Sequence, residues 1–158
     1  MAASNNDYDN LLFYFAYKTF INTADEIIEA YGLSRQHHRF LFFIEKVPGI
    51  TVKNLLKSLE ISKQGSHATL KKLKDKGLIQ EQQSTEDRRV KRLYPTKEGT
   101  KLVKELNKAQ NDLFSEIQER VGTDWYAIME EFASYRSGYK EIKHLKHQHE
   151  STSDTHEE

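Results

Sequence analysis

Apolar residues recur at helical spacing over most of this chain, and the pattern changes period only once, near its centre. From Asp7 to Tyr31, Leu12, Ala16, Phe20, Ala24 and Ile27/Ile28 form one stripe, which predicts a long first helix. Phe13, Tyr17 and Ile21 add a second stripe beside it. A helix so apolar around its circumference must bury more than one face, as when it packs on its own domain and on a second subunit. Gly32, a residue that accepts the left-handed conformation, ends it. Ser34 is placed to cap a second helix with Phe40, Phe43/Ile44 and Val47 inward, and Pro48-Gly49 stops that helix.

Two shorter helices follow. Thr51 is placed to cap the first, whose Val52, Leu55, Leu56 and Leu59 stand at i, i+3, i+4 and i+7. Ser62 is read as the cap of the second, which runs to Lys76 with Gly77 past its end. Two capped helices joined this tightly match a helix-turn-helix. The period then shifts to that of strands over Leu78–Gln83 and Val90–Pro95, around the charged loop Ser84–Arg89. Helix, helix, hairpin is the winged variant. Thr96 caps a fifth helix bearing Leu102, Leu106, Ala109, Leu113 and Ile117. A sixth is expected after Gly122, with Trp125, Ile128/Met129, Phe132, Tyr135, Tyr139 and Ile142 inward. The fold class expected is mainly α, a winged helix-turn-helix of six helices with a two- or three-stranded wing.

Composition changes this picture at two points. Hydrophobic residues make up 37% of the 158 and charged residues 30%, so the chain reads as an ordinary soluble globular protein. Formal net charge is zero, yet Lys53 to Arg92 holds eleven Lys or Arg against five Asp or Glu, balanced by acidic flanks. A basic centre between acidic ends suits a polyanionic partner on one face; the plain alternative is a lysine-rich solvated surface. The absence of cysteine excludes disulfides, thiolate zinc sites and thiol redox switches. Met1 to Asn6 is polar and uncharged and reads as neither signal nor transit peptide, and no apolar run is long enough to span a bilayer, so the expected compartment is the cytoplasm.

Chemistry concentrates on the fourth helix and the wing. With Ser66, Thr69, Leu70 and Leu73 turned to the core, the opposite face carries Gln64, His67, Ala68 and Lys71, with Lys72 to one side. Gln pairs with an adenine edge, His67 donates to or accepts from a base or phosphate, and Ala68 can approach a thymine methyl. Lys71 and Lys72 lie where backbone phosphates would be, and Ser62 and Lys63 offer donors at the helix start. The candidate DNA-binding set is therefore Ser62, Lys63, Gln64, Ser66, His67, Ala68, Lys71 and Lys72, joined by Asp87, Arg88 and Arg89 of the wing. Adjacent guanidinium groups on a hairpin tip suit a narrow groove of concentrated negative potential, with Asp87 bracing Arg89 as the groove residue.

The stretch Asp87-Arg88-Arg89 … Pro95-Thr96-Lys97-Glu98-Gly99 resembles the D-x-R-x5-L-T-x-x-G signature of the MarR family of bacterial regulators. Leu73 to Ile79 is similar to the family's L-x-x-x-G-L-[VI] segment, and Leu55-Leu56 … Leu59-Glu60-Ile61-Ser62 to its first helix-turn-helix segment. Three positions depart: Pro95 stands in place of Leu, Lys91 in place of an apolar strand residue, and Ala68 in place of a longer contacting side chain. The resemblance implies a triangular homodimer with interlocking terminal helices and a recognition helix per subunit in consecutive major grooves. Such proteins usually repress from a palindromic promoter site and often release it on binding a small ligand. The organisation expected is a dimerisation helix over 1–33, the winged helix-turn-helix over 34–99, dimerisation helices over 100–149 and a disordered tail over 150–158.

The resemblance places a pocket for a small hydrophobic effector among the aromatic residues Phe13, Tyr14, Tyr17, Phe42 and Phe43, where ordinary core packing is the competing reading. His144, His147 and His149 sit in a polar end and are read as solvated, so no metal and no cofactor is expected. Neither a Ser/His/Asp set, nor paired carboxylates, nor a phosphate-cradling glycine loop occurs, which argues against an enzyme. The partners expected are double-stranded DNA and a second copy of the chain, without a membrane. A winged-helix module that contacts another protein, without sequence-specific DNA binding, is the alternative.

Overall fold

A computed structural model describes residues 6–153. The N-terminal stretch read as carrying no leader therefore falls largely outside the described residues. The elements in order are α1 (Asn6–Ala30), α2 (Arg35–Lys46), β1 (Ile50–Thr51), α3 (Val52–Leu59), α4 (Ser66–Asp75), β2 (Ile79–Gln83), β3 (Lys91–Pro95), α5 (Lys97–Val121), α6 (Trp125–Ser134) and α7 (Ser137–Ser153). They divide into two compact units: residues up to Arg35 together with Lys104–Gly122, and Gln36–Val103 together with the residues from Thr123 onward.

In the first unit, the C-terminal half of α1 supplies the core. Ala24, Ile28 and Leu33 are buried together with Leu106, and Phe20 stacks on Phe114 with ring centroids 5.2 Å apart. Gly32, at φ 71°, reverses the chain after α1. Arg35 locks the reversal by donating to Asp25 at 2.6 and 2.9 Å and to Asn22 at 2.9 Å. Leu11 to Phe15 and Tyr17 remain exposed, so within the unit the two predicted stripes of α1 are covered only toward its C-terminal end.

The second unit holds the winged helix. Phe40, Leu41 and Ile44 of α2, Leu55 of α3, Leu73 of α4, Leu93 of β3 and Leu102 and Val103 of α5 are among its fully buried side chains. Its sheet has the order β1-β3-β2, all antiparallel, with Ile50 opposite Leu93, Ile79 opposite Pro95 and Gln83 opposite Lys91. Pro95 ends β3, so its missing N–H interrupts no ladder further along the strand. Lys91 shares a sheet face with Leu93, two residues away. It is neutralised by Glu81, which lies opposite Leu93 and takes Lys91 at 3.0 Å and Lys74 of α4 at 3.0 Å. Burial works against the ionised Glu81, but the two lysine hydrogen bonds outweigh it and hold the carboxyl below the usual glutamate range.

Four expectations need correction. Helix α4 starts at Ser66, not after Ser62: Gly65 caps it in the left-handed region at φ 77°, and 62–65 form a turn. The expected sixth helix is two helices, α6 and α7, which makes seven among the described residues. The break re-aims the chain so that Gly138 can meet α3, where a Cβ would come within 2.0 Å of the Ser58 carbonyl. The stripe expected inward on α6 is largely uncovered within the chain: Ile128, Met129, Phe132 and Tyr135 are exposed, while Tyr139 and Ile142 on α7 are half-buried. Helix α7 also continues through the first residues of the expected tail to Ser153, while 154–158 lie outside the described residues.

Two outcomes test this packing. Gly99 approaches the start of β2 so closely that a Cβ would lie 2.0 Å from the Leu78 carbonyl oxygen, with Leu41 at 3.3 Å. Gly99→Ala is expected to lower unfolding free energy by about 3 kcal/mol in a urea titration, since neither backbone can yield cheaply. An unchanged midpoint would show that the junction relaxes freely. Glu81→Gln should destabilise at neutral pH, because a carboxyl with a depressed folded pKa stabilises above its unfolded pKa. That difference should shrink as the pH falls through the folded value. A deficit constant from neutral pH into acid would rule out the lysine pairing as its cause.

Candidate nucleic-acid interface

The helix-turn-helix is built from two unlike junctions. Thr51 caps α3 by accepting from the Asn54 N–H at 3.1 Å. At the other end, Glu60 takes the left-handed conformation (φ 56°, ψ 42°) that closes α3, and the Ile61 N–H returns to the Leu56 carbonyl at 3.2 Å. In the turn, Ser66 donates its hydroxyl to the Lys63 carbonyl at 2.6 Å, and Thr69 donates to that of Gly65 at 3.2 Å. Both side chains tie the first turn of α4 back onto the loop.

The outward face of α4 lies where helical geometry demands. Ser66, Thr69, Leu70 and Leu73 are buried, and His67, Ala68, Lys71 and Lys72 are exposed. Ser66 is only 3% exposed and its hydroxyl is spent on Lys63, so it positions the turn and does not face a ligand, contrary to its place in the candidate set. Ser62, Lys63 and Gln64 are exposed, but they stand in the turn and not on the helix. Gln64 therefore leaves the helical register with His67 and Lys71. With Ser62 and Ile61 it borders a depression that reaches Gln36, Arg39 and Phe40 of α2. Lys71 donates to Asp75 at 2.7 Å on the exposed side of α4. Burial first, and then the charge on Lys72, pull His37 of α2 below the ordinary histidine range.

The wing tip is ordered by its own polar atoms. Ser84 donates its N–H to the Val90 carbonyl at 2.8 Å. Asp87 accepts from the Arg89 N–H at 3.0 Å and approaches the Arg89 guanidinium at 3.6 Å. Asp87 thus fixes the Arg89 backbone, while its 3.6 Å approach to the guanidinium is too long for the charge-assisted hydrogen bond expected of it, and the Arg89 side chain is 94% exposed. Arg88 is exposed beside it.

Two neighbours of the wing escaped sequence reasoning. Lys53 and Asn54, in the first turn of α3, line one groove with Arg89, Val90 and Lys91. The link is strand β1, which pairs Thr51 with Arg92. A two-residue strand carries no readable alternation, so the surplus of lysines in this region was the only signal available. The aromatic residues assigned to an effector pocket fall into both units, each described by itself: Phe13, Tyr14 and Tyr17 are exposed in the first, and Phe42 and Phe43 are half-buried in the second. Among the terminal histidines, His144 lies 3.0 Å from Gln148, and His147 lies 3.9 Å from Glu150. Among the described residues no helix is long and apolar enough to cross a membrane.

Comparison with known proteins agrees with this geometry. Residues 31–90 match the model of the MarR family. A curated relative, the HTH-type transcriptional regulator PetP of Rhodobacter capsulatus, is 36% identical over 97 residues, which is 61% of this chain. The matched part spans 58% of that relative's length. Among solved structures, Streptococcus pneumoniae FabT in complex with DNA superimposes with a TM-score of 0.64 at 22% identity, covering 88% of this chain and 99% of FabT. NadR in complex with 4-hydroxyphenylacetate gives 0.67 at 18% identity, covering 85% of this chain and 92% of NadR. At those identities the structures share the fold. Over its winged-helix segment 31–90 the chain is similar to the MarR family, and the solved structures share its fold.

Proposed function

We infer that this chain is a sequence-specific, double-stranded-DNA-binding transcriptional regulator, a repressor acting as a homodimer on a palindromic promoter site. One observation carries the reading: a single unit presents the exposed face His67, Ala68, Lys71 and Lys72 of α4 together with a wing whose Arg89, fixed at its backbone by Asp87, exposes its guanidinium. A helix face of this chemistry suits the base edges and flanking phosphates of a major groove, and an extended arginine suits a narrow minor groove. The local excess of basic residues from Lys53 to Arg92 would draw the surface to a duplex and make binding salt-dependent.

The homodimer rests on uncovered apolar surface. Leu11 to Phe15 on α1, and Tyr126, Ile128 and Phe132 on α6, are each too apolar a face to leave in water. A second copy, related by a two-fold axis, covers such faces reciprocally. Release by a small hydrophobic effector belongs to the same reading, and the solution of NadR with a phenylacetate supports it. The charge distribution favours DNA over a protein partner as the occupant of the wing and α4.

Arg89→Ala combined with Lys71→Ala is expected to weaken duplex binding by about two orders of magnitude or more, with thermal stability and dimer mass unchanged. Retention of parental affinity in a gel-shift would remove these residues from the interface. Selection of bound duplexes from a random pool should return a two-fold symmetric site with half-sites about one helical turn apart. Failure to enrich any sequence would favour the protein-contact module.

A further inference from the structure

The groove beside the wing is built on strand β1. Thr51 pairs with Arg92 of β3, and Gly49 donates its N–H to the Leu93 carbonyl at 2.7 Å. Thr51 then caps α3, so the first turn of that helix is pinned to the central strand of the sheet. Lys53 and Asn54 line the groove from α3, and Arg89, Val90 and Lys91 line it from the wing, all within one unit.

The cations around this groove differ in what they already hold. Arg92 donates to the Gly49 carbonyl at 3.0 Å, so its guanidinium fixes β1. Lys91 pairs with Glu81 at 3.0 Å, and Lys57, one turn along α3 from Lys53, pairs with Glu141 at 3.1 Å. Two charges are left. Lys53 is exposed, and its ammonium has no ion pair or hydrogen bond among the described residues. The Arg89 guanidinium is 94% exposed, with Asp87 at 3.6 Å, beyond hydrogen-bond reach. Among the described residues no carboxylate lines the groove. Like charges lining one groove repel each other, and an anion held between them turns that repulsion into attraction. Asn54, half-buried beside them, adds a side-chain amide able to donate. Two cations and a neutral donor suit a phosphodiester, which carries one charge and several acceptor oxygens.

We propose that Lys53, joined by Asn54, holds a backbone phosphate of the duplex strand bordering the minor groove that Arg89 enters. This contact rests on the DNA-binding reading given above and extends the interface from α4 and the wing to α3. The occupant follows from continuity, because Arg89 lines this same groove and is the cation already assigned to the duplex. The contact reads no bases; it fixes the register of the wing on the duplex.

Binding is measured with the full-length chain on a duplex selected from a random pool. Lys53→Gln is expected to weaken binding about fivefold or more at low salt and to reduce the slope of log affinity against log salt by about 1 per protomer. Lys53→Arg should restore both. Replacing single phosphates of the duplex by uncharged methylphosphonates then locates the contact: one position in each half-site should weaken the parent and leave Lys53→Gln indifferent. An unchanged slope in Lys53→Gln, while the parent binds normally, would overturn the Lys53 contact and leave the DNA-binding reading standing. So would a lowered slope with every methylphosphonate costing parent and variant alike, since the lysine would then act only at long range. A parent chain that selects no duplex would bring down both readings.

Discussion

The winged helix depends on one junction where four elements meet through backbone. Thr96 donates its hydroxyl to the Gly77 carbonyl at 2.6 Å, accepts from the Gly99 N–H at 3.1 Å, and donates its own N–H to the Leu78 carbonyl at 3.0 Å. One residue therefore caps α5, closes the end of α4 and ties the start of β2 to the end of β3. Gly99 is required because α5 lies against the Leu78 backbone with no room for a side chain. The Thr-x-x-Gly spacing is thus a physical solution to joining α4, wing and exit helix, and the register of the wing relative to α4 follows from it.

Two carboxylates extend that rigidity. Glu81 holds Lys74 of α4 and Lys91 of the central strand, so α4 and the hairpin cannot shift independently without leaving a partly buried charge unpaired. It also explains how Lys91 is tolerated on the inner side of the sheet. Glu60 does the corresponding work at the helix-turn-helix corner. A glycine would relieve the left-handed backbone there, at a saving of about 1 kcal/mol, but would lose the carboxylate that receives Arg136 and Ser137. The side chain is retained because it anchors α7 on α3.

With α4 and the wing held, the proposed interface divides by stiffness. His67, Ala68, Lys71 and Lys72 ride on a helix whose opposite face is buried, so their spacing is preset. Arg89 is preset only at its backbone, by Asp87, and its guanidinium is free to search. A rigid reader beside a tethered cation suits a partner whose bases are fixed in register but whose groove width varies.

The buried faces of α2, α3 and α4, the strands on either side of Ser84–Arg89, the Thr51 and Thr96 caps and the pairing of Asp87 with Arg89 were all legible in the sequence. Each is encoded by residues within a turn or two of one another. The start of α4 was not, because Ser62 is as good a cap by type as Gly65 is by backbone conformation; the hydrogen bonds of Ser66 and Thr69 to the loop decide between them. Strand β1 is too short to show a period, yet it brings Lys53 and Asn54 to the wing. The break between α6 and α7 and the exposure of Phe132 and Tyr135 were hidden for a different reason. Periodicity states which side of a helix is apolar, while what covers that side is settled by surfaces distant in the chain.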